Sequence, residues 1–160
     1  MFEFSERSIK EIRTVHKDGQ LILHEALLWT PVDFGVSEGH RSVDRQFALW
    51  QQGRKLLGNG EWTVVGPVVT NIDGLTVKGK HNVMPSMAWD IFCYHPDRNI
   101  AYDPEHIAVV AGVLLATAKR LLAEKKITHR LKWGADWDAD GLLIFDQKFN
   151  DRPHFQLEPA

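Results

Sequence analysis

Two stretches of the sequence place metal-binding side chains in or beside apolar segments. In GKHNVMPSMAWDI, His81 lies in a polar loop nine residues before Asp90. In DRPHFQL, His154 begins an apolar run, and Asp151 lies three residues before it. Asp90 falls within a predicted strand whose neighbouring residues are apolar, and a carboxylate there is costly unless it is paired or binds a metal. These residues are therefore candidates for metal chemistry.

The residue types indicate a catalytic zinc site. Two imidazoles and one carboxylate fill three tetrahedral positions and leave the fourth open, as in catalytic rather than structural zinc sites. A second carboxylate close by can act as a general acid–base group, and Asp151 is the candidate. The chain has 8 histidines, so a single histidine is a weak signal. Because the candidate ligands are far apart in the sequence, spacing alone does not determine the ligand set.

Length and composition predict one globular domain over residues 1–160. The 44% hydrophobic and 25% charged residues are typical of a folded soluble chain, and a net charge of −2 gives no basic field for nucleic acid. The N-terminus has no signal-peptide pattern, which predicts synthesis in the cytoplasm. The apolar stretch Ile107–Ala118 is too short to span a bilayer and predicts a buried helix. Cys93 is the single cysteine and is interpreted as a core residue.

Capping signals predict the helices. Each helix follows a Ser or Asp whose side chain can accept a backbone N–H of the first turn. The caps expected on this basis are Ser5, Asp18, Ser42 and Asp103. Asp103 is the clearest, because Pro104 and Glu105 are favoured in a first turn, and its helix is expected to end near Glu124.

Short apolar runs predict the strands. They cover Val32–Val36, Ala88–Tyr94, Ile127–Trp133 and His154–Leu157, with a further short hairpin within residues 58–80. Long helices combined with short, irregularly spaced strands indicate an α+β fold. We expect a small antiparallel sheet with flanking helices, and the zinc site at the sheet.

An aspartate-rich loop precedes the last predicted strand. Asp136, Asp138 and Asp140 alternate before Gly141, as in the first half of a calcium-binding loop. The twelfth position is Gln147 rather than the usual bidentate glutamate. The loop is thus a candidate calcium site, and the alternative is a solvated turn.

Four ordered motifs carry a resemblance to a known family. They are SEGHRSVDRQ, KHNVMPSMAWDI, WGADWDADG and DRPHFQL. Together they resemble the zinc peptidases that group D-alanyl-D-alanine carboxypeptidases and dipeptidases with phage L-alanyl-D-glutamate endolysins. The segments FSERSIKEIRTVH and TPVDFGVSEGHRS resemble the endolysin branch in particular. The resemblance runs from about Phe4 to Leu157 and implies the hedgehog/D-Ala-D-Ala peptidase-like fold.

The resemblance also implies a role for each matching residue. His81, Asp90 and His154 match the zinc ligands. Asp151 matches the general base that activates the attacking water and later protonates the leaving amine. Arg41 matches the arginine that stabilises the developing oxyanion, a role suited to a permanent cation.

Other interpretations remain open for several of these residues. Arg41 can instead be a surface arginine paired with Glu38 or Asp44, and Asp151 a turn residue. For Arg45 and Gln46 there are two interpretations: they line the substrate cleft, or they lie on an exposed helix surface. Where the family usually has serine, two residues before the first histidine, this chain has Gly79. Trp133 and Trp137 are expected to pack rather than stack on sugar, and His95, His106 and His129 to be structural or solvent-facing.

The leading functional hypothesis is a zinc endolysin that cleaves the L-alanyl–D-glutamate bond of peptidoglycan stem peptides. We expect a monomer with a single peptidase domain and no separate cell-wall-binding domain. It is expected to bind no nucleic acid, not to insert into membranes, and to reach the wall when the producing cell lyses. A D,D-carboxypeptidase or dipeptidase with the same zinc chemistry is the enzymatic alternative. A non-catalytic zinc domain that binds wall peptides or a protein partner is the alternative from another class.

Overall fold

The computed structural model describes residues 1–141 and 149–160. The described residues form four α-helices and six strands. The helices are α1 (Glu6–Ile12), α2 (Lys17–Leu27), α3 (Val43–Gln51) and α4 (Pro104–Ala123). The strands are β1 (Phe34–Glu38), β2 (Arg54–Leu56), β3 (Trp62–Val64), β4 (Ala88–Cys93), β5 (His129–Trp133) and β6 (His154–Pro159).

Four of the strands form one antiparallel sheet in the order β1-β4-β6-β5. Strands β2 and β3 form a separate hairpin. The hydrophobic core lies where α2 and α4 pack together and α4 packs on β4 and β5. This is the predicted α+β fold with a small antiparallel sheet, which is confirmed.

Side chains alternate along β4 and β6 between the core and the opposite face. Trp89, Ile91 and Cys93 of β4 are buried, as are Phe155 and Leu157 of β6. The intervening residues, which include Asp90 and Gln156, therefore lie on the face away from the core. Cys93 is a core residue as expected, and burial raises the pKa of its thiol to about 11.

Three of the four expected caps are confirmed. Ser5 Oγ accepts the Ser8 N–H at 3.3 Å, and Ser42 Oγ accepts the Arg45 N–H at 3.2 Å. Asp103 accepts two N–H groups of the first turn of α4. These local signals identify helix starts because the cap and its donors are neighbours in sequence.

The cap predicted for α2 is wrong. His16 caps the helix, with its Nδ1 accepting the Asp18 N–H at 3.2 Å. Asp18 is buried inside the first turn, where its carboxylate accepts the Thr128 N–H at 2.8 Å and pairs with His129 Nδ1 at 2.8 Å. The Asp18 side chain, which the local pattern predicts to cap α2, therefore binds residues at the start of β5 instead.

Several boundaries differ from expectation. Strand β1 runs from Phe34 to Glu38 rather than from Val32 to Val36, which brings Glu38 into the sheet. The hairpin begins at Arg54, before the glycine-rich stretch expected to hold it. Strand β5 begins at His129, and β6 extends to Pro159.

Helix α4 has 20 residues with mean hydropathy of 1.6 in its most apolar window, which by length and composition alone could cross a membrane. Seven of its residues are buried, and they repeat at helical spacing from Ile107 to Leu121. Because α4 packs on α2, β4 and β5, this is the pattern of a core helix.

Candidate metal centre

The strand register places three acidic or basic side chains side by side across the sheet. Asp90 of β4 lies opposite His154 of β6 and, on its other side, opposite Glu38 of β1. A register irregularity between Val36 and Glu38 marks the end of β1. Opposed residues in antiparallel strands have Cβ atoms about 4.5–5.5 Å apart, so their side chains can meet.

The remaining ligand candidate comes from a loop. His81 lies in a single 3-10 turn, Lys80–Asn82, that is hydrogen-bonded to the SEGHRS loop. The Arg41 N–H donates to the His81 carbonyl at 2.9 Å, and Asn82 Nδ2 donates to the Arg41 carbonyl at 3.0 Å. The two loops therefore hold His81 and Arg41 in a fixed relation to each other.

Gly39 anchors the SEGHRS loop to α1. Its N–H donates to Glu11 Oε2 at 2.9 Å, and the next N–H, of His40, donates to Thr14 Oγ1 at 2.7 Å. A Cβ on residue 39 would overlap Thr14 Oγ1 and the Glu11 carbonyl oxygen. Glycine is required here because only its backbone can approach α1 this closely.

His81, Asp90 and His154 converge in a nearly equilateral triangle. His81 Nε2 lies 3.2 Å from His154 Nδ1 and 3.3 Å from Asp90 Oδ1. His154 Nδ1 lies 3.1 Å from Asp90 Oδ1. Ligand atoms about 2.0–2.1 Å from a tetrahedral zinc ion are about 3.3 Å apart, so this triangle has the size of one face of a zinc coordination tetrahedron.

The outward nitrogens of both histidines have hydrogen-bond acceptors. His81 Nδ1 donates to the Gly39 carbonyl at 2.7 Å, and His154 Nε2 donates to Gln156 Oε1 at 3.1 Å. Gln156 is oriented by its own Nε2, which donates to Glu158 Oε1. The inward nitrogens of the neutral rings therefore carry lone pairs, and such outer partners are typical of metal-binding histidines.

Three lone-pair-bearing atoms facing one another repel unless a metal cation lies between them or the imidazoles take up protons and donate to Asp90. Burial alone would raise the pKa of Asp90, but hydrogen bonds from His154 and His81 outweigh it and lower that pKa. Burial would lower the pKa of His154, but the hydrogen bond and charge of Asp90, with smaller contributions from Gln156 and Asp151, together outweigh burial and raise that pKa. The donor set thus fits a zinc ion, which would supply Lewis-acid polarisation of a bound carbonyl or water.

Asp151 lies beside the triangle, in the segment that leads into β6. The Asp151 N–H donates to the Gly134 carbonyl at 2.9 Å, and the His154 N–H donates to the Asp151 carbonyl at 3.0 Å. A Cβ at Gly134 would overlap the Asp151 carbonyl oxygen, so this close approach also requires glycine.

The carboxylate of Asp151 makes no hydrogen bond to any residue in the described ranges. Burial, and next the negative charge of Asp90, raise the pKa of Asp151. A carboxyl group with a raised pKa and uncommitted oxygens is suited to taking and returning a proton. The position of the Asp151 carboxylate is therefore compatible with the general-base role. The turn-residue interpretation explains the backbone hydrogen bonds of Asp151 but not the position of its carboxylate.

Arg41 is not a surface arginine, since only 14% of its side chain is exposed. Its Nε donates to Glu38 Oε2 at 2.8 Å, and Nη2 donates to the same oxygen and to Asp90 Oδ2 at 3.3 Å. Nη1 donates to Gln46 Oε1 at 3.0 Å. Within the described part of the chain, Asp44 is not a partner, and one Nη1 hydrogen is left for another acceptor.

These groups line an open cleft with a volume of about 780 Å³. Arg45, Gln46 and Asp151 all contribute to its wall. The Trp137 ring lies 5.5 Å from the His154 ring and stacks on Phe149 at 6.1 Å, also in the wall. Trp133, by contrast, is buried and donates its Nε1–H to the Arg152 carbonyl at 2.6 Å, so its expected packing role is confirmed.

A second group of the same composition has a different geometry. His129 Nδ1 lies 2.8 Å from Asp18 Oδ2, whereas His16 Nδ1 lies 3.8 Å from Asp18 Oδ1. His16 Nδ1 also accepts the N–H that starts α2, so its lone pair is in use. The unequal distances and the engaged lone pair are those of a hydrogen-bonded cap rather than a ligand set.

The candidate calcium loop gains no support. Oxygens of Asp136, Asp138 and Asp140 lie within 4.8 Å of one another. The two carboxylate oxygens of Asp136 accept the backbone N–H groups of Asp140 and Gly141, each at 3.2 Å. These bonds stabilise the turn and account for an aspartate at this position. Gln147 lies outside the described residues. Calcium binding stays a prediction.

Sequence reasoning missed Gln156 as the partner of His154 and the buried position of Glu38 beside Asp90, although it named Glu38 as an alternative ion-pair partner of Arg41. Gln156 follows His154 at the period of a strand, which places both on one face, so that signal was available. Glu38 appeared only as an alternative surface partner, because its position opposite Asp90 depends on strand register.

Comparison with known proteins is informative at the level of the fold. No protein-family model matches the chain. The crystal structure of the L-Ala D-Glu endopeptidase ChiX from Serratia marcescens matches with a TM-score of 0.64 and 23% identity. The match covers 99% of this chain and 90% of that one. The chain has the fold of this endopeptidase.

A second solved structure, the vancomycin-resistance D,D-dipeptidase VanXYg with a D-Ala-D-Ala phosphinate analogue, matches with a TM-score of 0.44 and 15% identity. This chain aligns over 91% of its length with only 51% of that protein. The fold suggested by the sequence resemblance is therefore confirmed by the ChiX match, while the roles of individual residues are proposals.

Proposed function

We propose that the chain is a zinc peptidase that hydrolyses the L-alanyl–D-glutamate bond of peptidoglycan stem peptides. The observation that carries the proposal is the triangle of His81, Asp90 and His154, with Asp151 and Arg41 on the same cleft. Support for the substrate class comes from the fold shared with an L-Ala D-Glu endopeptidase along nearly the whole chain.

The protein groups have complementary tasks in this reaction. Asp151 takes a proton from the attacking water as the new C–O bond forms, and returns it to the amine as the C–N bond breaks. Arg41 donates its remaining Nη1 hydrogen to the carbonyl oxygen, which gains negative charge in the transition state. The cleft orients the peptide between them.

Mass analysis of purified peptidoglycan after digestion tests the proposed bond. We expect fragments with a new D-glutamate N-terminus and glycan strands that retain a single L-alanine. Release of free D-alanine would instead identify a D,D-carboxypeptidase. An unchanged wall with the zinc-loaded protein, combined with binding of wall fragments, would favour the non-catalytic alternative.

We further propose the endolysin role, with synthesis in the cytoplasm and access to the wall at lysis. Cells that express the chain should keep their turbidity until the inner membrane is permeabilised, and then lyse. Cells that express Asp151→Asn should stay turbid under the same treatment. Lysis before permeabilisation would contradict this route to the wall.

A further inference from the structure

Glu38 is an acid of the cleft that the proposed mechanism does not use. Only 14% of its side chain is exposed, and both of its oxygens bind arginines. Oε2 accepts from Nε and Nη2 of Arg41, while Oε1 accepts from Nε of Arg45. Its position opposite Asp90 in the sheet places this double ion pair next to the proposed metal ligand.

We infer that Glu38 is a positioning residue that fixes the Arg41 guanidinium so that Nη2 stays on Asp90 and one Nη1 hydrogen faces the substrate carbonyl. This inference rests on the proposed function. A guanidinium is a planar fork, so fixing its Nε and Nη2 edge also fixes where the Nη1 hydrogens point. Gln46 holds one of these hydrogens through Oε1, and the other is left for substrate.

Gln46 cannot replace Glu38 in this task. Gln46 is buried and its Nε2 donates to the Ile72 carbonyl at 2.7 Å, which orients its oxygen toward Arg41. It contacts a single nitrogen, however, so that without Glu38 the guanidinium would be held only at Nη1 by Gln46 and at Nη2 by the longer contact to Asp90, with no partner for Nε among the described residues. Without Glu38, the carboxylates of Asp90 and Asp151 would compete for the released guanidinium edge.

Glu38 also differs from Asp151 in what it can do chemically. Burial would raise the pKa of Glu38, but the hydrogen bonds from Arg41 and Arg45 outweigh it and lower that pKa. A carboxylate held ionised, with both oxygens occupied, is a poor general base. The cleft therefore holds two acids with separate tasks, one that orients a cation and one that moves a proton.

A double-mutant cycle with Arg41 tests the inference. In the zinc-loaded protein, Glu38→Ala should lower kcat by about 10²-fold, the scale of a misplaced catalytic group. KM should change much less, and zinc content should stay at the wild-type value. In an Arg41→Lys background, Glu38→Ala should have little further effect, because a positioning residue acts only through the group it positions.

Two further variants separate positioning from a general effect of charge or stability. Arg45→Ala removes the other cation on Glu38 and should cost less kcat than Glu38→Ala. Glu25→Ala removes an ion pair between α2 and Arg120 of α4, outside the residues that line the cleft, and should leave kcat unchanged. Equal losses of kcat in the Arg41 and Arg41→Lys backgrounds would overturn the inference.

A readout independent of turnover is the Nε–H signal of Arg41 in ¹⁵N NMR spectra. Its exchange with water should be slow in the wild type and in Arg45→Ala, and fast in Glu38→Ala. A signal that is equally protected in Glu38→Ala would overturn the inference. If the wild type itself cleaves no wall peptide, the proposed function fails, and the NMR comparison still decides whether Glu38 fixes Arg41.

Discussion

Residue identity alone does not distinguish a metal site from a hydrogen-bonded cluster in this protein. Two groups in the described part of the chain contain two histidines and one aspartate. In one, the ligand atoms are 3.1–3.3 Å apart and the other ring nitrogens are tied to outer acceptors. In the other, the aspartate and one imidazole are at hydrogen-bond distance and the second imidazole caps a helix. The distances between the candidate ligand atoms distinguish the metal-site geometry from the hydrogen-bonded cluster, and these distances depend on the fold.

At the residue scale, the first prediction concerns Asp151→Asn. The amide cannot accept a proton from water, so kcat should fall by about 10²–10⁴-fold. Zinc content should be unchanged because Asp151 is not part of the ligand triangle. Steady-state kinetics on a wall fragment and metal analysis of the same sample measure both quantities. Near-normal turnover of the fully metallated variant would remove Asp151 from the mechanism.

The second residue-scale prediction concerns Arg41. Arg41→Lys should lose most of kcat, because an ammonium cannot contact Glu38, Asp90 and substrate with the geometry of the planar fork. Losing one donor to a developing oxyanion costs about 3–4 kcal/mol in well-studied sites. Arg41→Ala should lose at least as much. Unchanged kcat/KM in both variants, measured beside their melting temperatures, would limit Arg41 to a structural ion pair.

Helices and strands of this protein are predictable from the sequence where the residues that determine them are close together in the chain. The caps Ser5, Ser42 and Asp103 were identifiable because each one bonds to its own first turn. The α2 cap was misassigned because Asp18 is used by residues 110 and 111 positions further along the chain. The register that pairs Asp90 with both Glu38 and His154 has the same long-range origin. The sequence pattern could therefore predict the strands and which residues share a face of a strand, but not which residues of different strands lie opposite each other.

At the element scale, Asp18→Asn tests the connection between α2 and β5. Burial would raise the pKa of Asp18, but hydrogen bonds from His129 and Thr128 outweigh it and lower that pKa. A lowered folded-state pKa means that the ionised form stabilises the fold above the unfolded pKa of about 3.9. That contribution is lost as the pH falls below about 4 toward the folded-state pKa.

We therefore expect Asp18→Asn to lower the free energy of unfolding at pH 7 by about 1.5–3 kcal/mol, the range for hydrogen bonds to a charged group. The difference from wild type should shrink on acidification to pH 3. Urea unfolding of the metal-free proteins measures this at each pH. Glu61→Gln, at an exposed acid beside the β2–β3 hairpin, is the control and should change stability by under about 0.5 kcal/mol. A difference that is constant with pH would contradict this account.

At the scale of the whole molecule, the proposed metal joins segments that are distant in sequence. His81 comes from a loop, Asp90 from the centre of the sheet and His154 from the first position of β6. The family resemblance supplied these residues as a set, and the fold explains why they meet. The sequence could not predict the hydrogen bonds that orient these ligands, such as the one from His81 Nδ1 to the Gly39 carbonyl. Every residue has a backbone carbonyl, so residue type does not indicate which carbonyl accepts the bond.

The last prediction follows from that linkage between metal and fold. A ligand that binds only the folded state stabilises it by about 2.7 kcal/mol at a concentration of 100 times its Kd. For a domain of this size, 1 kcal/mol corresponds to about 2–4 °C in Tm, so zinc should raise the Tm of the chelator-stripped protein by about 5–10 °C. His81→Ala should show a much smaller rise, because two ligands remain on adjacent strands but the loop is no longer tied to them. Weak binding of zinc to histidines of the unfolded chain would lower the rise in both proteins and cancel in the comparison. Equal rises in Tm for the wild type and His81→Ala would show that zinc does not bind at the triangle.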